Sequence, residues 1–405
     1  MNKTAAKSRR FYYLLFGVLL FGVLMVYNAS PLYAQRLFND PYYFFKLQVT
    51  WTLFGIAFFI IFSRIKFQTL KRIAKPLFYV SLFFLFCLAF FATFFPCTQS
   101  TTRDITFFPC KNGARRWVNL NPVPLPQIPL VGTIGFQASD LAKLAMVLYL
   151  PLVLEEKRAA AKSKYAPFVF FIGACLLTSV LILFQPNMSN AGLVLLIGLA
   201  IYDISGLDVK PVLVMAPLGL VLGMVFILIS PYRRERFITL VVPHQQSKLS
   251  ESYQSDQILI GLGSGGLFGV GVGQSKQKQH YLPEVIGDSI FAIVGEELGY
   301  IGSVLVLVAF AFLSLDMLKI ASEAGTVYEK MVGVGVTAWL FFQYLINIFA
   351  TIGLIPFTGM PIPLISYGGS SMLFALSGMG LLANIYARRV KKPDLVNAVG
   401  RGRMS

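Results

Sequence analysis

The sequence predicts an all-α polytopic membrane protein with ten transmembrane helices, both termini cytoplasmic and a large extracytoplasmic loop between spans 7 and 8. Three observations carry that prediction. Of 405 residues, 56% are hydrophobic and only 13% charged, more apolar surface than a soluble domain can bury. Ten apolar stretches approach the roughly 20 residues a helix needs to cross a bilayer. Lys and Arg, finally, concentrate in alternate connecting segments.

In chain order the spans fall at 11–28, 47–63, 76–96, 139–154, 167–184, 190–206, 211–230, 288–312, 331–353 and 368–387. The first follows a basic start (Lys3, Lys7, Arg9, Arg10) like a signal peptide, but it runs too long and lacks a small-residue cleavage site, so it is expected to remain as a helix. The fourth and sixth are short. With the N-terminus cytoplasmic, the inside segments 1–10, 64–75, 157–164, Lys210, Lys319 with Lys330, and 388–403 hold 22 of the 35 Lys and Arg. The single membrane domain therefore divides into a cytoplasmic N-terminus (1–10), extracytoplasmic loops at 97–138 and 231–287, and a basic cytoplasmic tail (388–405). The net charge of +17 suits contact with anionic lipid, and no basic segment interleaved with aromatics points to nucleic acid.

Cys87 and Cys175 fall inside spans and read as small apolar core residues. Cys97 and Cys110 share one outer loop and are candidates to close it with a disulfide. Two histidines, His244 and His280, far apart in one loop, make no zinc site, and no metal-ligand cluster is visible. The stretch from Gly261 to Gly273 contains a literal GxGxxG, but it lies between membrane helices without a βαβ unit; it reads as a re-entrant or interfacial segment whose glycines allow close backbone packing.

Asp288 closes the long polar loop immediately before the apolar run Ser-Ile-Phe-Ala-Ile-Val. A carboxylate at a membrane face, beneath a loop carrying Arg233, Arg234, Arg236, Lys248, Lys276 and Lys278, suggests acid/base chemistry on an anionic, lipid-linked substrate. Lys276 and Lys278 are expected to be exposed, screened surface cations. Helical periodicity from Asp288 places Ala292, Gly295 and Gly299 on its face, for a cavity or for tight helix packing. Glu296 and Glu297, deeper in the span, are costly unless paired, and a structural role is expected for both. Lys143, in the fourth span, needs a partner or water; it either snorkels outward or lines a cavity, holding phosphate or tuning Asp288.

The run Asn347-x5-Gly353-Leu-Ile-Pro356-Phe-Thr-Gly359-Met-Pro-Ile-Pro-Leu-Ile-Ser366-Tyr-Gly-Gly-Ser-Ser371 resembles the signature of the SEDS family (FtsW, RodA, SpoVE). Further similar stretches are Gly113-Ala-Arg-Arg-Trp117, Phe136-Gln-Ala-Ser-Asp-Leu-Ala-Lys143, Gln185-Pro186, Pro231-Tyr-Arg-Arg-Glu-Arg236, Gly263 to Gly269, and Tyr281-Leu-Pro-Glu284 through Asp288 to Glu296-Glu-Leu-Gly299. The resemblance covers nearly the whole chain, and its wording is nearer the cell-division members (FtsW) than those of elongation (RodA). It implies a peptidoglycan glycosyltransferase that polymerises lipid II at the outer face of the cytoplasmic (inner) membrane, at the division septum, with a class B penicillin-binding transpeptidase and other divisome proteins as partners. The family's essential aspartate falls on Asp288 and its Arg-Trp element on Arg115, Arg116 and Trp117.

Such a reaction needs a base for the acceptor hydroxyl, assigned to Asp288, and cations for the departing undecaprenyl pyrophosphate. Candidate substrate contacts are Arg115, Arg116, Trp117, Lys143, Arg233, Arg234, Glu284, Ser366, Tyr367 and Ser370. A divalent cation such as Mg²⁺ is compatible with this chemistry. The chain departs from the family pattern at Ile286-Gly287-Asp288, where His-Thr-Asp is common, at Gln137-Ala-Ser-Asp140 for Gln-Pro-Ser-Glu, and at Gln185-Pro-Asn187 for Gln-Pro-Asp. A lipid II flippase, a RodA-type elongation enzyme and a scaffold for a transpeptidase remain open; a flippase would place function on Lys143, Glu296 and Glu297.

Overall fold

The computed structural model describes residues 3–401 apart from 96, 98–104, 112, 129–130, 161–164, 215–249, 280–281 and 283. Helices dominate: α1 (Lys3–Ala29), α2 (Pro31–Phe38), α3 (Tyr43–Arg64), α4 (Phe67–Phe94), α5 (Ala138–Ala160), α6 (Ala166–Leu183), α7 (Met188–Ile204), α8 (Ser250–Ser264), α9 (Ile290–Ser322), α10 (Val327–Thr351) and α11 (Gly369–Arg401), with one hairpin, β1 (Trp117–Asn119) and β2 (Gly135–Gln137). Seven of the described helices, α1, α3, α4, α6, α9, α10 and α11, are long and apolar enough to cross a membrane. The chain is a multi-pass membrane protein.

Where structure and expectation differ, composition explains why. α4 begins at Phe67 rather than 76 because its first turns are amphipathic: Lys71 pairs with Glu155 and Lys75 with Glu156 (2.8 Å), so cations that look like a loop are helix surface. α5 carries Asp140, Lys143, Glu155, Glu156, Lys157 and Arg158, yet from Ala142 to Leu148 it is wholly buried. Protein rather than lipid surrounds it, so its charges need partners, not an apolar surface. α7 is a shorter apolar helix of 17 residues. Of the expected span 211–230, only 211–214 are described, and they are helical. Inside the expected polar loop 231–287, residues 250–264 form α8 and Gln277–Gln279 a 3-10 turn.

The helices gather into two compact units. One comprises Thr50–Leu207, Leu313–Phe341 and Gly369–Ser405. Here α5 packs against α4, α6, α7 and α11, with Phe78 stacked on Tyr149 (4.0 Å between ring centres). The antiparallel hairpin pairs Trp117 with Gln137 and runs straight into α5 at Ala138, which fixes the Arg-Trp element to the start of that helix. A disulfide joins Cys97 to Cys110, with Cα atoms 5.9 Å apart, and closes the loop that leads to the hairpin.

The other unit comprises Met1–Val49, Asp208–Phe312 and Phe342–Gly368. Its organising feature is a break in α9 at Gly299 (φ 67°, ψ −166°). Only glycine adopts that conformation without strain. The broken ladder is completed by the glycine-rich segment: Val270 and Gly271 donate to the carbonyls of Glu296 (2.9 Å) and Glu297 (3.1 Å), while Tyr300 and Ile301 donate to those of Gly266 (2.9 Å) and Leu267 (3.2 Å). Gly299 is thus the break in the helix, not a member of the helical face expected from Asp288, and Asp288 itself lies in the turn before Ile290. A Cβ at Gly265 would run into the carbonyl of Gly295, and one at Gly269 into that of Glu297.

Gly265→Ala is therefore expected to destabilise the protein by roughly 1–3 kcal/mol through overpacking against backbone. Gly263→Ala, where a Cβ meets nothing within 4 Å, is the control. Thermal unfolding of the two purified variants decides the matter, and equal midpoints would contradict the close approach.

Candidate active site

Asp288 is half-buried in the turn that leads into α9. The turn is built by short-range bonds, with Gly287 N–H donating to the Glu284 carbonyl (3.0 Å) and Glu284 itself in the left-handed region (φ 50°). One side chain ties it to the rest of its unit: the Asn347 amide, from α10, donates to the Asp288 carbonyl (2.9 Å) and to the Met360 carbonyl (2.6 Å). Gln254 of α8 donates to the Ser289 hydroxyl (3.1 Å), and Tyr367 N–H donates to the Ile286 carbonyl (2.8 Å).

The loop after α10 is shaped to meet the carboxylate. Gly359 (φ 63°) approaches so closely that a Cβ there would stand 3.2 Å from Asp288 Oδ2. Its neighbours hold the curve: the Ser366 hydroxyl accepts from Ile362 N–H (2.9 Å), and the Gln343 amide donates to the Pro361 carbonyl (3.0 Å). Ser366 is buried in this role. The Tyr367 ring packs edge-on against Phe44 (5.2 Å), and burial pushes its phenol above the usual range. Glu284 is exposed; its carboxylate adds to the burial that raises the Tyr33 phenol.

Further along the same unit, Glu296 accepts from the Ser275 hydroxyl and from the backbone N–H groups of Lys276 (2.9 Å) and Gln277 (3.2 Å). Glu297 accepts from Lys278 Nζ (2.6 Å) and the Asn28 amide. Glu296 thus caps the 3-10 turn, and Glu297 pairs with its Lys278. Lys276 is exposed, but Lys278 corrects the surface expectation: its side chain is 9% exposed and forms a buried ion pair.

In the other unit Lys143 is 1% exposed. Its ammonium pairs with Asp140 (2.7 Å), donates to Asn190 Oδ1 (3.1 Å) and lies 5.4 Å from the Trp339 ring centre. The second Asp140 oxygen accepts from Ser370 (3.1 Å), and Asn187 Oδ1 accepts from the Asn190 amide (3.0 Å). The lysine does not snorkel outward, because a carboxylate one turn away offsets its charge. Arg115 is 2% exposed and donates to the carbonyls of Phe95 (3.3 Å) and Phe108, bracing the disulfide-closed loop. Arg116 donates to the carbonyls of Gln185 (3.2 Å) and Pro186 (2.6 Å), and Lys111 stands over the Trp117 ring (5.1 Å). Arg233 and Arg234 lie outside the described residues, as do His244 and His280. Among the described residues no three His, Cys, Asp or Glu gather into a metal-holding group.

The FtsW/RodA/SpoVE family of cell cycle proteins matches residues 9–391. The chain belongs to this family. Among relatives, stage V sporulation protein E of Bacillus subtilis is 32% identical over 368 residues, covering 91% of this chain and 93% of that protein. The probable peptidoglycan glycosyltransferase FtsW of Coxiella burnetii is likewise 32% identical, over 376 residues, with 91% and 93% covered. Two solved structures share the fold: a peptidoglycan synthase complex that coordinates polymerization and crosslinking (24% identity, TM-score 0.72, 94% of this chain and 97% of that one), and Thermus thermophilus RodA (24% identity, TM-score 0.64, 94% and 96%).

The residues that sequence reasoning passed over in this family member are Asn347, Gly359 and Asp140. The signature holds the first two without marking their tasks, whereas the i, i+3 spacing of Asp140 and Lys143 already places them on one helix face. Lys143→Met should cost about 3–5 kcal/mol, because it leaves a buried carboxylate without its cation, and Asp140→Leu/Lys143→Met should recover much of the loss. Melting midpoints of the single and double variants check this; a double variant less stable than the single would contradict it.

Proposed function

We propose that this protein is a peptidoglycan glycosyltransferase that polymerises lipid II into glycan strands at the outer face of the cytoplasmic membrane. The observation that carries the proposal is the seating of Asp288: a half-buried carboxylate laid on Gly359 and fixed from behind by Asn347, within a family whose relatives include named peptidoglycan glycosyltransferases. Asp288 takes the proton from the acceptor sugar hydroxyl as its oxygen attacks the anomeric carbon of the donor. The bond from that carbon to the pyrophosphate breaks, and undecaprenyl pyrophosphate leaves with the electron pair, so one displacement inverts the α-linked donor to a β-linked product.

A pyrophosphate needs no full protonation to depart; it needs positive charge nearby. Arg233 and Arg234 are the cations we assign to it, whereas Arg115 and Arg116 donate to loop carbonyls and Lys143 is offset by Asp140. Within the unit that holds Asp288, Glu284 and Tyr367 are proposed to line the sugar path, with Ser366 holding the curve of the loop beside it. Ten spans with both termini cytoplasmic complete the reading, following the distribution of basic residues. The division role and septal location rest on identity to proteins named FtsW. A class B penicillin-binding transpeptidase as partner rests on the fold shared with the synthase complex.

Asp288→Asn should leave the fold intact and lower lipid II polymerisation roughly 10²–10⁴-fold, since the near-isosteric amide cannot accept the proton. The assay is glycan formation from lipid II by the purified, membrane-inserted protein, alone and with its partner. More than a few per cent of wild-type activity would remove Asp288 as the base.

A further inference from the structure

A charged cavity lies far from Asp288 in sequence, at the turn between α3 and α4. It encloses about 700 Å³ and is lined by the end of α3, the start of α4, the start of α10 and the basic stretch of α11, all within one compact unit. Four cations reach it, Arg64, Lys66, Lys71 and Arg388, against one carboxylate, Glu329. Two of the four are already placed: Lys71 stands 4.6 Å from the Tyr328 ring centre and pairs with Glu155, while Arg388 lies 5.1 Å from that of Phe67 and pairs with Glu329 (2.6 Å). Arg64 and Lys66 are exposed and carry no ion pair among the described residues. The frame is fixed by the buried Asn384, whose amide donates to the carbonyls of Phe62 (2.9 Å) and Ile65 (2.7 Å).

We propose that this cavity binds the phosphate-bearing headgroup of an anionic phospholipid. Excess positive charge at the end of a helix bundle favours an anion, and basic pockets between membrane helices hold such headgroups. The helix surface beside the cavity favours a lipid over a free anion. Ile60 and Ile61, within the last turn or so of α3 before Arg64, are exposed and apolar, so acyl chains find a surface beside the cations that take the headgroup. Arg64 and Lys66 supply charge that no ion pair among the described residues offsets. The leaflet concerned, the cytoplasmic one, follows from the topology proposed above; the binding itself does not depend on it or on the glycosyltransferase reading.

The test is native mass spectrometry of the delipidated full chain titrated with dioleoyl phosphatidylglycerol, dioleoyl phosphatidylcholine or inorganic phosphate. Wild type should retain phosphatidylglycerol where phosphatidylcholine is lost. Arg64→Gln/Lys66→Gln should weaken that retention roughly tenfold or more. Arg64→Lys/Lys66→Arg should restore it, and Arg72→Gln/Lys75→Gln, with the same charge change outside the cavity, should leave it in place. Unchanged retention in the Gln pair, an equal loss in the control pair, or equal retention of phosphatidylcholine would each overturn the proposal. Binding of inorganic phosphate without retained phosphatidylglycerol would assign the cavity to a free anion and overturn the lipid. Asp288-dependent polymerisation is read separately, so neither result stands in for the other.

Discussion

A backbone amide or carbonyl in a membrane has no water to turn to, and leaving one unpaired costs several kcal/mol. The break at Gly299 shows how this chain meets that constraint. Opening α9 frees two carbonyls and two amides, and the glycine-rich segment supplies the four bonds that replace them. The exchange is possible only because Gly265 and Gly269 let backbone approach backbone, and because Gly299 accepts a conformation closed to other residues. Glu296 and Glu297 then complete the work by accepting from the N–H groups and side chains of the following turn.

Asp288 inherits its position from this arrangement. The segment that ends at Asp288 is fastened at one end by the two glutamates and at the other by Asn347, Gln254 and Tyr367. A group that must meet a hydroxyl at hydrogen-bond distance has to be held to within about half an ångström, and bonds made by backbone and neighbouring helices give that precision better than a loose loop does. The Asn347 amide contributes twice, since its two bonds tie together the turn holding the carboxylate and the loop that presents Gly359 to it.

Much of this was legible in the sequence. Apolar runs located the seven long helices, and the excess of glycine before Asp288 marked a segment that packs by backbone. Boundaries were misjudged where helix surface is charged: the start of α4 looks like a loop because its lysines find glutamates on α5, a partner that hydropathy cannot show. α8 was hidden inside a polar loop for a similar reason, since its Gln254 bonds to the Ser289 hydroxyl in the turn before α9. Lys278 misled because burial depends on Glu297, a residue 19 positions away. Asn347 and Gly359 were visible as letters of a motif, but their tasks appear only when the turn before α9 and the loop after α10 stand together.

The distribution of charge bears on what kind of protein this is. A transporter moves its intramembrane charges between partners as it cycles, so those charges must be able to leave one site for another. Lys143 is held by Asp140 and Asn190, and Asp140 in turn by Ser370; Glu296 is held by backbone amides, and Glu297 by Lys278. Breaking any of these would leave a buried charge uncompensated, at a cost of several kcal/mol. They belong to the frame. Asp288 sits in a turn that Asn347 braces through the backbone, with its carboxylate close against Gly359. Fixed charges in the core and a carboxylate positioned through its backbone suit an enzyme that does chemistry at one place better than a carrier that must rearrange.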